Sequence, residues 1–80
     1  MRLPRDLDGR EPAMALDVLG YTITRQTGSH LRVTTESNGR HHEVIPNHSP
    51  IKIGTWQSIL RSVAMHHGLT VAQLLARLDL

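Results

Sequence analysis

Cysteine is absent from the 80 residues. That excludes a disulfide framework, a thiolate zinc site and a cysteine nucleophile. The absence says little about compartment, although a small secreted domain is more often stapled by disulfides. Phenylalanine is absent too, and Tyr21 and Trp56 are the only aromatic residues. Reading single-stranded RNA by base stacking needs a platform of several rings, which this chain lacks. The core must be built from Leu, Ile, Val, Met and Ala. No apolar run approaches the ~18 residues that cross a bilayer. The opening Met1-Arg2-Leu3-Pro4-Arg5-Asp6 carries charge but no apolar stretch, so it does not read as a signal peptide. The expectation is one soluble, cytoplasmic domain over residues 1–80, with 1–7 as an irregular lead-in and no membrane partner.

Lysine is nearly absent: of nine basic residues, Lys52 alone is not Arg. Arginine grips phosphate and carboxylate with a bidentate fork, which suits an RNA or a protein partner. The net charge of +2 is nonetheless far from the dense basic patch of a strong nucleic-acid binder.

What is present divides by period. Asp8 and Glu11 have the spacing of a capping box. Ala15, Leu16 and Leu19 give one apolar face, and Gly20 stands where a helix stops, so the first helix is expected over residues 9–19. From Tyr21 the period becomes two. Tyr21 and Ile23 alternate with Thr22 and Thr24, and Leu31 and Val33 alternate with His30, Arg32 and Thr34. Arg40 to Ile45 makes a third strand, closed by Pro46 and introduced by an Asn38-Gly39 turn signal. Residues 55–67 form a second helix with Trp56, Ile59, Leu60, Val63 and Ala64 as its core stripe, ended by Gly68. Thr70 and Gln73 form another capping box, opening a short third helix through Val71, Leu74, Leu75 and Leu78. The order is an α+β fold, α-β-β-β-α plus a short helix, with helices on one face of a three-stranded antiparallel meander.

Pairing Thr35 with Arg40 sets Leu31 opposite Val44 and Arg32 opposite Glu43, one apolar pair and one ion pair. A three-residue turn at 27–29 sets Ile23 opposite Val33 and Gln26 opposite His30 on the open face; a two-residue turn mixes the faces. The expected core is Leu16, Leu19, Ile23, Leu31, Val33, Val44, Trp56, Ile59, Leu60 and Val63.

Six histidines invite a metal reading, but their spacing does not support one. His41 and His42 point to opposite faces of a strand, and His66 and His67 lack the i, i+4 spacing that converges two imidazoles. No metal and no cofactor is expected. His41, His66 and His67 are expected to face solvent, and His42 to cap the core edge opposite Val33. Ser29 and His30 are adjacent on a strand, so they do not form a nucleophile–base dyad. His30 opens the second strand on the open face, two residues before Arg32. An imidazole there can move a proton while Arg32 holds a phosphate and Gln26 orients it.

The chain also resembles the HicA (YcfA-like) toxins of bacterial type II toxin–antitoxin pairs. The likeness lies in Leu3-Pro4-Arg5-Asp6, Leu19-Gly20-Tyr21, Arg25-Gln26-Thr27-Gly28-Ser29-His30, Ile45-Pro46-Asn47-His48, Gly54-Thr55-Trp56-Gln57-Ser58-Ile59-Leu60-Arg61 and Gly68-Leu69-Thr70. It covers residues 3–78. Thr27 stands where the family usually has Lys, Leu31 where many members have a second His, and Trp56 where they have Leu. The resemblance implies a double-stranded-RNA-binding-domain-like fold and a metal-independent mRNA endonuclease held silent by a HicB-type antitoxin. It implies His30 as the catalytic residue. The candidate RNA-binding and supporting residues around it are Arg25, Gln26, Gly28, Ser29, Arg32, His48 and Lys52. Two other readings stand beside it: a non-catalytic RNA-binding module of the same fold, and a protein-interaction domain whose open sheet face docks a partner.

Overall fold

The computed structural model describes residues 10–47 and 52–78. Helix α1 (Arg10–Ala15) runs into a 3-10 turn (Leu16–Leu19). Strands β1 (Thr22–Thr27), β2 (His30–Thr35) and β3 (His41–Pro46) follow, then helices α2 (Ile53–His67) and α3 (Val71–Leu78). The strands form one antiparallel sheet in the order β1-β2-β3. This is the expected α-β-β-β-α order with an additional C-terminal helix.

The helix C-termini follow the sequence signals closely, whereas α2 begins at Ile53, two residues before the expected start at 55. Gly20 (φ 84°) and Gly68 (φ 66°) are both left-handed. The amides of Gly20 and Tyr21 donate to Asp17 O (2.9 Å) and Leu16 O (3.4 Å), and those of Gly68 and Leu69 to Met65 O (3.4 Å) and Ala64 O (2.9 Å). Both ends are Schellman closures that satisfy the last carbonyls of a helix. A Cβ on Gly20 would stand 2.9 Å from Thr35 Oγ1, whose hydroxyl donates to Leu19 O at 2.9 Å. Glycine there lets the end of β2 lock onto the end of the first helix. The α3 capping box is complete: Thr70 N–H donates to Gln73 Oε1 (2.9 Å) and Gln73 N–H to Thr70 Oγ1 (3.0 Å). Asp8, the expected cap of the first helix, lies outside the described residues.

Strand β2 is central, with Leu31, Val33 and Thr35 buried and His30, Arg32 and Thr34 turned the other way. The helices cover its Leu31–Val33 side. Leu16, Leu19, Tyr21, Ile45, Trp56, Ile59, Leu60, Val63, Leu74 and Leu78 complete that core.

The strand registers differ from the expected ones. Thr35 pairs with His41, not Arg40, so Leu31 faces Ile45, Val33 faces Glu43 and Arg32 faces Val44. Ile45 is therefore in the core, and Val44, expected there, is 53 % exposed. The connection spans residues 36–40, one residue more than the expected turn, with Asn38 (φ 59°) and Gly39 (φ 95°) both left-handed. Between β1 and β2 the turn has two residues, Gly28-Ser29, because Thr27 pairs with His30 and Gln26 with Leu31. The register then shifts between Ile23 and Arg25, which restores Ile23 opposite Val33. A bulge at Thr24 thus reconciles the short turn with the apolar pairing. Ile23 keeps its expected partner but is 38 % exposed, because β1 is an edge strand.

The histidines are redistributed with the register. His42 faces outward opposite Thr34 and is exposed, whereas His41 lies on the helix side. His41, His66 and His67 are half-buried rather than solvent-facing.

Candidate functional site

The sheet face away from the helices carries the residues expected to do chemistry. Gly28, at φ 55°, occupies the first central position of the β1–β2 hairpin turn, where a two-residue connection favours glycine. The backbone N–H of Asn47 donates to Ser29 O, which ties the turn to the end of β3. His30 follows at once, exposed and pointing away from the core. Across the strand pair stands Thr27, and the next outward pair is Arg25 with Arg32. Arg25, Thr27, His30, Arg32 and Val44 line one shallow hollow.

The Arg25–Arg32 pair breaks a local rule. Like charges directly opposite on neighbouring strands repel. Neither arginine has an acidic partner among the described residues, whose ion pairs are Arg40–Glu36 and His41–Glu43. Such a conflict is expected where a site awaits an anion. The bulge creates it: strict alternation would put Arg25 on the face of Ile23, and the extra residue at Thr24 turns it outward.

The expected site residues separate accordingly. Arg25, Arg32 and His30 come together around the Gly28-Ser29 turn. Gln26 does not join them, because it pairs with Leu31 on the helix side of the sheet. Lys52, exposed, is the residue before α2 and does not line the hollow. His48 lies outside the described residues. Thr27 and Val44 line the hollow and were missed by sequence reasoning, since both depend on the register.

Beyond Arg32 the same face continues into a second hollow lined by Thr24, Arg25, Arg32, Thr34, Glu36, Arg40 and His42. A hydrogen-bond ladder crosses all three strands there. His42 Nδ1 and Thr34 Oγ1 are 2.8 Å apart, Thr34 Oγ1 and Thr24 Oγ1 are 2.9 Å apart, and Thr24 Oγ1 donates to Arg32 O at 3.3 Å.

The opposite side holds the other histidines. Tyr21 Oη lies 2.7 Å from His41 Nδ1 and 3.2 Å from His67 Nε2. His41 Nε2 meets Glu43 Oε2 and Ser62 Oγ, each at 3.3 Å. His66 stacks on His41 with ring centres 4.4 Å apart, and its Nε2–H donates to Ser37 O (3.1 Å) and Gly39 O (2.9 Å). Burial and the Glu43 carboxylate push the Tyr21 hydroxyl up to about 12. Burial lowers His41 and His67 below the ordinary imidazole range; the Glu43 carboxylate opposes this at His41, while neighbouring imidazoles add to it at both rings and Arg77 adds to it at His67. These rings are tied into the fold by hydrogen bonds. Among the described residues no three His, Asp or Glu side chains stand as metal ligands, and no helix is long and apolar enough to cross a membrane.

Compared with known protein families, residues 9–65 match the one described as the HicA toxin of bacterial toxin-antitoxin. The match covers more than two thirds of the chain and includes β1, β2, β3 and most of α2. No curated protein and no solved structure matches the chain significantly.

Proposed function

The chain belongs to the HicA family of bacterial toxins, and on that footing we propose that it is an mRNA endoribonuclease that works without a metal, silenced by a HicB-type antitoxin. The observation that carries this reading is His30: an exposed imidazole beside two arginines that repel each other until an anion binds. A phosphodiester seated between Arg25 and Arg32 would relieve that repulsion through charge-assisted hydrogen bonds. His30 then takes the proton of the adjacent ribose 2′-hydroxyl. The 2′-oxygen attacks phosphorus, the bond to the 5′-oxygen breaks, and solvent at this open site protonates the leaving oxygen. The products are a 2′,3′-cyclic phosphate and a free 5′-hydroxyl. The arginine forks hold the charge that develops on the non-bridging oxygens.

General base catalysis by one side chain contributes roughly 10²–10⁴ in rate. His30→Ala should therefore lose cleavage of purified mRNA by about that factor while its circular dichroism and melting temperature stay those of the parent, since exposed positions contribute little to stability. Cleavage should persist in EDTA. Undiminished cleavage by His30→Ala, or loss of cleavage in EDTA, contradicts the mechanism. A His30→Ala protein that binds RNA as before, beside a parent that never cut it, would instead mark a binding module.

A further inference from the structure

Resting on the reading of this face as an RNA site, we propose that its far half is a second subsite. There His42 Nε2 accepts a hydrogen bond from the 2′-hydroxyl of a ribose flanking the cleaved linkage, while Arg32 and Arg40 hold neighbouring phosphates. The argument begins with proton counting along the ladder. The Thr24 hydroxyl has one proton, which it gives to the carbonyl of Arg32. Between Thr24 and Thr34 the donor must then be Thr34, whose own single proton is spent there. The remaining contact requires a proton on His42 Nδ1. One end of the ladder is a carbonyl that only accepts, so every donor upstream of it is determined.

In the neutral ring this tautomer leaves Nε2 with a lone pair and no hydrogen. Nε2 makes no hydrogen bond with any described residue, and His42 is exposed on the open face. A lone pair repels a phosphate oxygen and welcomes a donor. Of the groups an RNA strand presents on its backbone, the 2′-hydroxyl is the donor, and it is the group that separates RNA from DNA. Charge around the ring fits a polyanion. Arg25 and Arg32 line both hollows. Arg40 is paired with Glu36 at 3.0 Å, but both side chains are about two-thirds exposed, so this contact is weakly held and Arg40 can turn to a phosphate.

The spacing makes this a separate subsite. His42 pairs with Thr34, four residues along β2 from His30. At ~3.3 Å per residue the two imidazoles stand on the order of 13 Å apart along the strand, too far to share one phosphodiester. His42 therefore serves a neighbouring nucleotide. Thr34 and Thr24 are positioning residues that fix its tautomer.

The test uses the full chain carrying His30→Ala, so that binding is read without cleavage. Affinity is measured for a short RNA and for the same strand with single 2′-deoxy substitutions walked along it. One flanking position should lose roughly three- to tenfold in affinity, the worth of one hydrogen bond. Adding His42→Ala should abolish that sensitivity, and Thr34→Val should weaken it. Ring ¹⁵N shifts should show His42 protonated on Nδ1 in the free protein. The proposal is overturned if no flanking position is sensitive, if sensitivity survives His42→Ala, or if the strands do not bind. It is also overturned if an all-DNA strand binds as well as RNA, which would make the ring a phosphate ligand. Loss of cleavage chemistry in the parent protein would defeat the nuclease reading and leave these binding results standing.

Discussion

At the residue scale, the helix-side imidazoles act as a pH-sensitive part of the fold. The Glu43 carboxylate needs a proton on His41 Nε2, so His41 Nδ1 accepts from the Tyr21 hydroxyl and the Tyr21 oxygen accepts from His67 Nε2–H. That chain of donors requires a neutral His41, whose Nδ1 must accept, whereas His67 donates through Nε2–H in either protonation state. Burial lowers both His41 and His67, against the Glu43 carboxylate at His41, with His66 beside both rings and Arg77 beside His67. An imidazole whose affinity for protons is lower folded than unfolded favours the unfolded chain once protons are plentiful. The contribution is complete above about pH 6.5, the unfolded value, and declines as pH falls toward the lowered folded values. The melting temperature should hold between pH 8 and 7 and fall between about 6.5 and 5, before carboxylates titrate. His67→Gln should shrink that fall, and an unchanged profile would show that the cluster does not sense protons. Trp56 is a second residue-scale conflict: it is 2 % exposed, and its Nε1–H has no partner among the described residues.

At the element scale, the β2–β3 register decides which of two adjacent β-branched residues is structural. Ile45 is fully buried, whereas Val44 is mostly exposed. Ile45→Ala should cost about 2–5 kcal/mol in urea unfolding, enough to threaten so small a domain. Val44→Ala should stay within about 0.5 kcal/mol. The reverse ranking would restore the register in which Leu31 faces Val44. Helix ends were legible in the sequence because glycine stops and the Thr70–Gln73 box act through neighbours a few residues away. The inner face of β2 was legible for the same reason, as strict alternation. The register was not, because it depends on contacts far along the chain. Asn38 Nδ2 donates to His66 O at 2.7 Å, and His66 Nε2 returns to Ser37 O and Gly39 O. These anchor a connection one residue longer than the Asn-Gly signal suggests. The bulge at Thr24 was equally hidden, and with it the outward turn of Arg25. The outward facing of His30 and Arg32 was read correctly, but Gln26 was misplaced and the Thr24–Thr34–His42 ladder was missed.

At the scale of the whole molecule, the two sheet faces differ in kind. Helices cover one; the other bears Arg25, Arg32, the exposed Val44 and, beside them, Arg40. For RNA, three arginines at an exposed face imply a shallow salt dependence, with log K falling against log salt at a slope of roughly −2 for a single strand. The same face suits the proposed antitoxin: an acidic or mixed-charge domain seated there would occupy His30, Arg32 and Val44 together and exclude the substrate. Arg32→Glu should then weaken the complex, with the loss concentrated in the association rate and reduced at high salt, as expected for steering by complementary charge. RNA binding to His30→Ala protein and antitoxin binding should be mutually exclusive in a competition titration, which His30→Ala permits without cleavage. An antitoxin that binds Arg32→Glu protein unchanged, or forms a ternary complex with bound RNA, would place the inhibitory contact on the helical side and leave steric blockade without support.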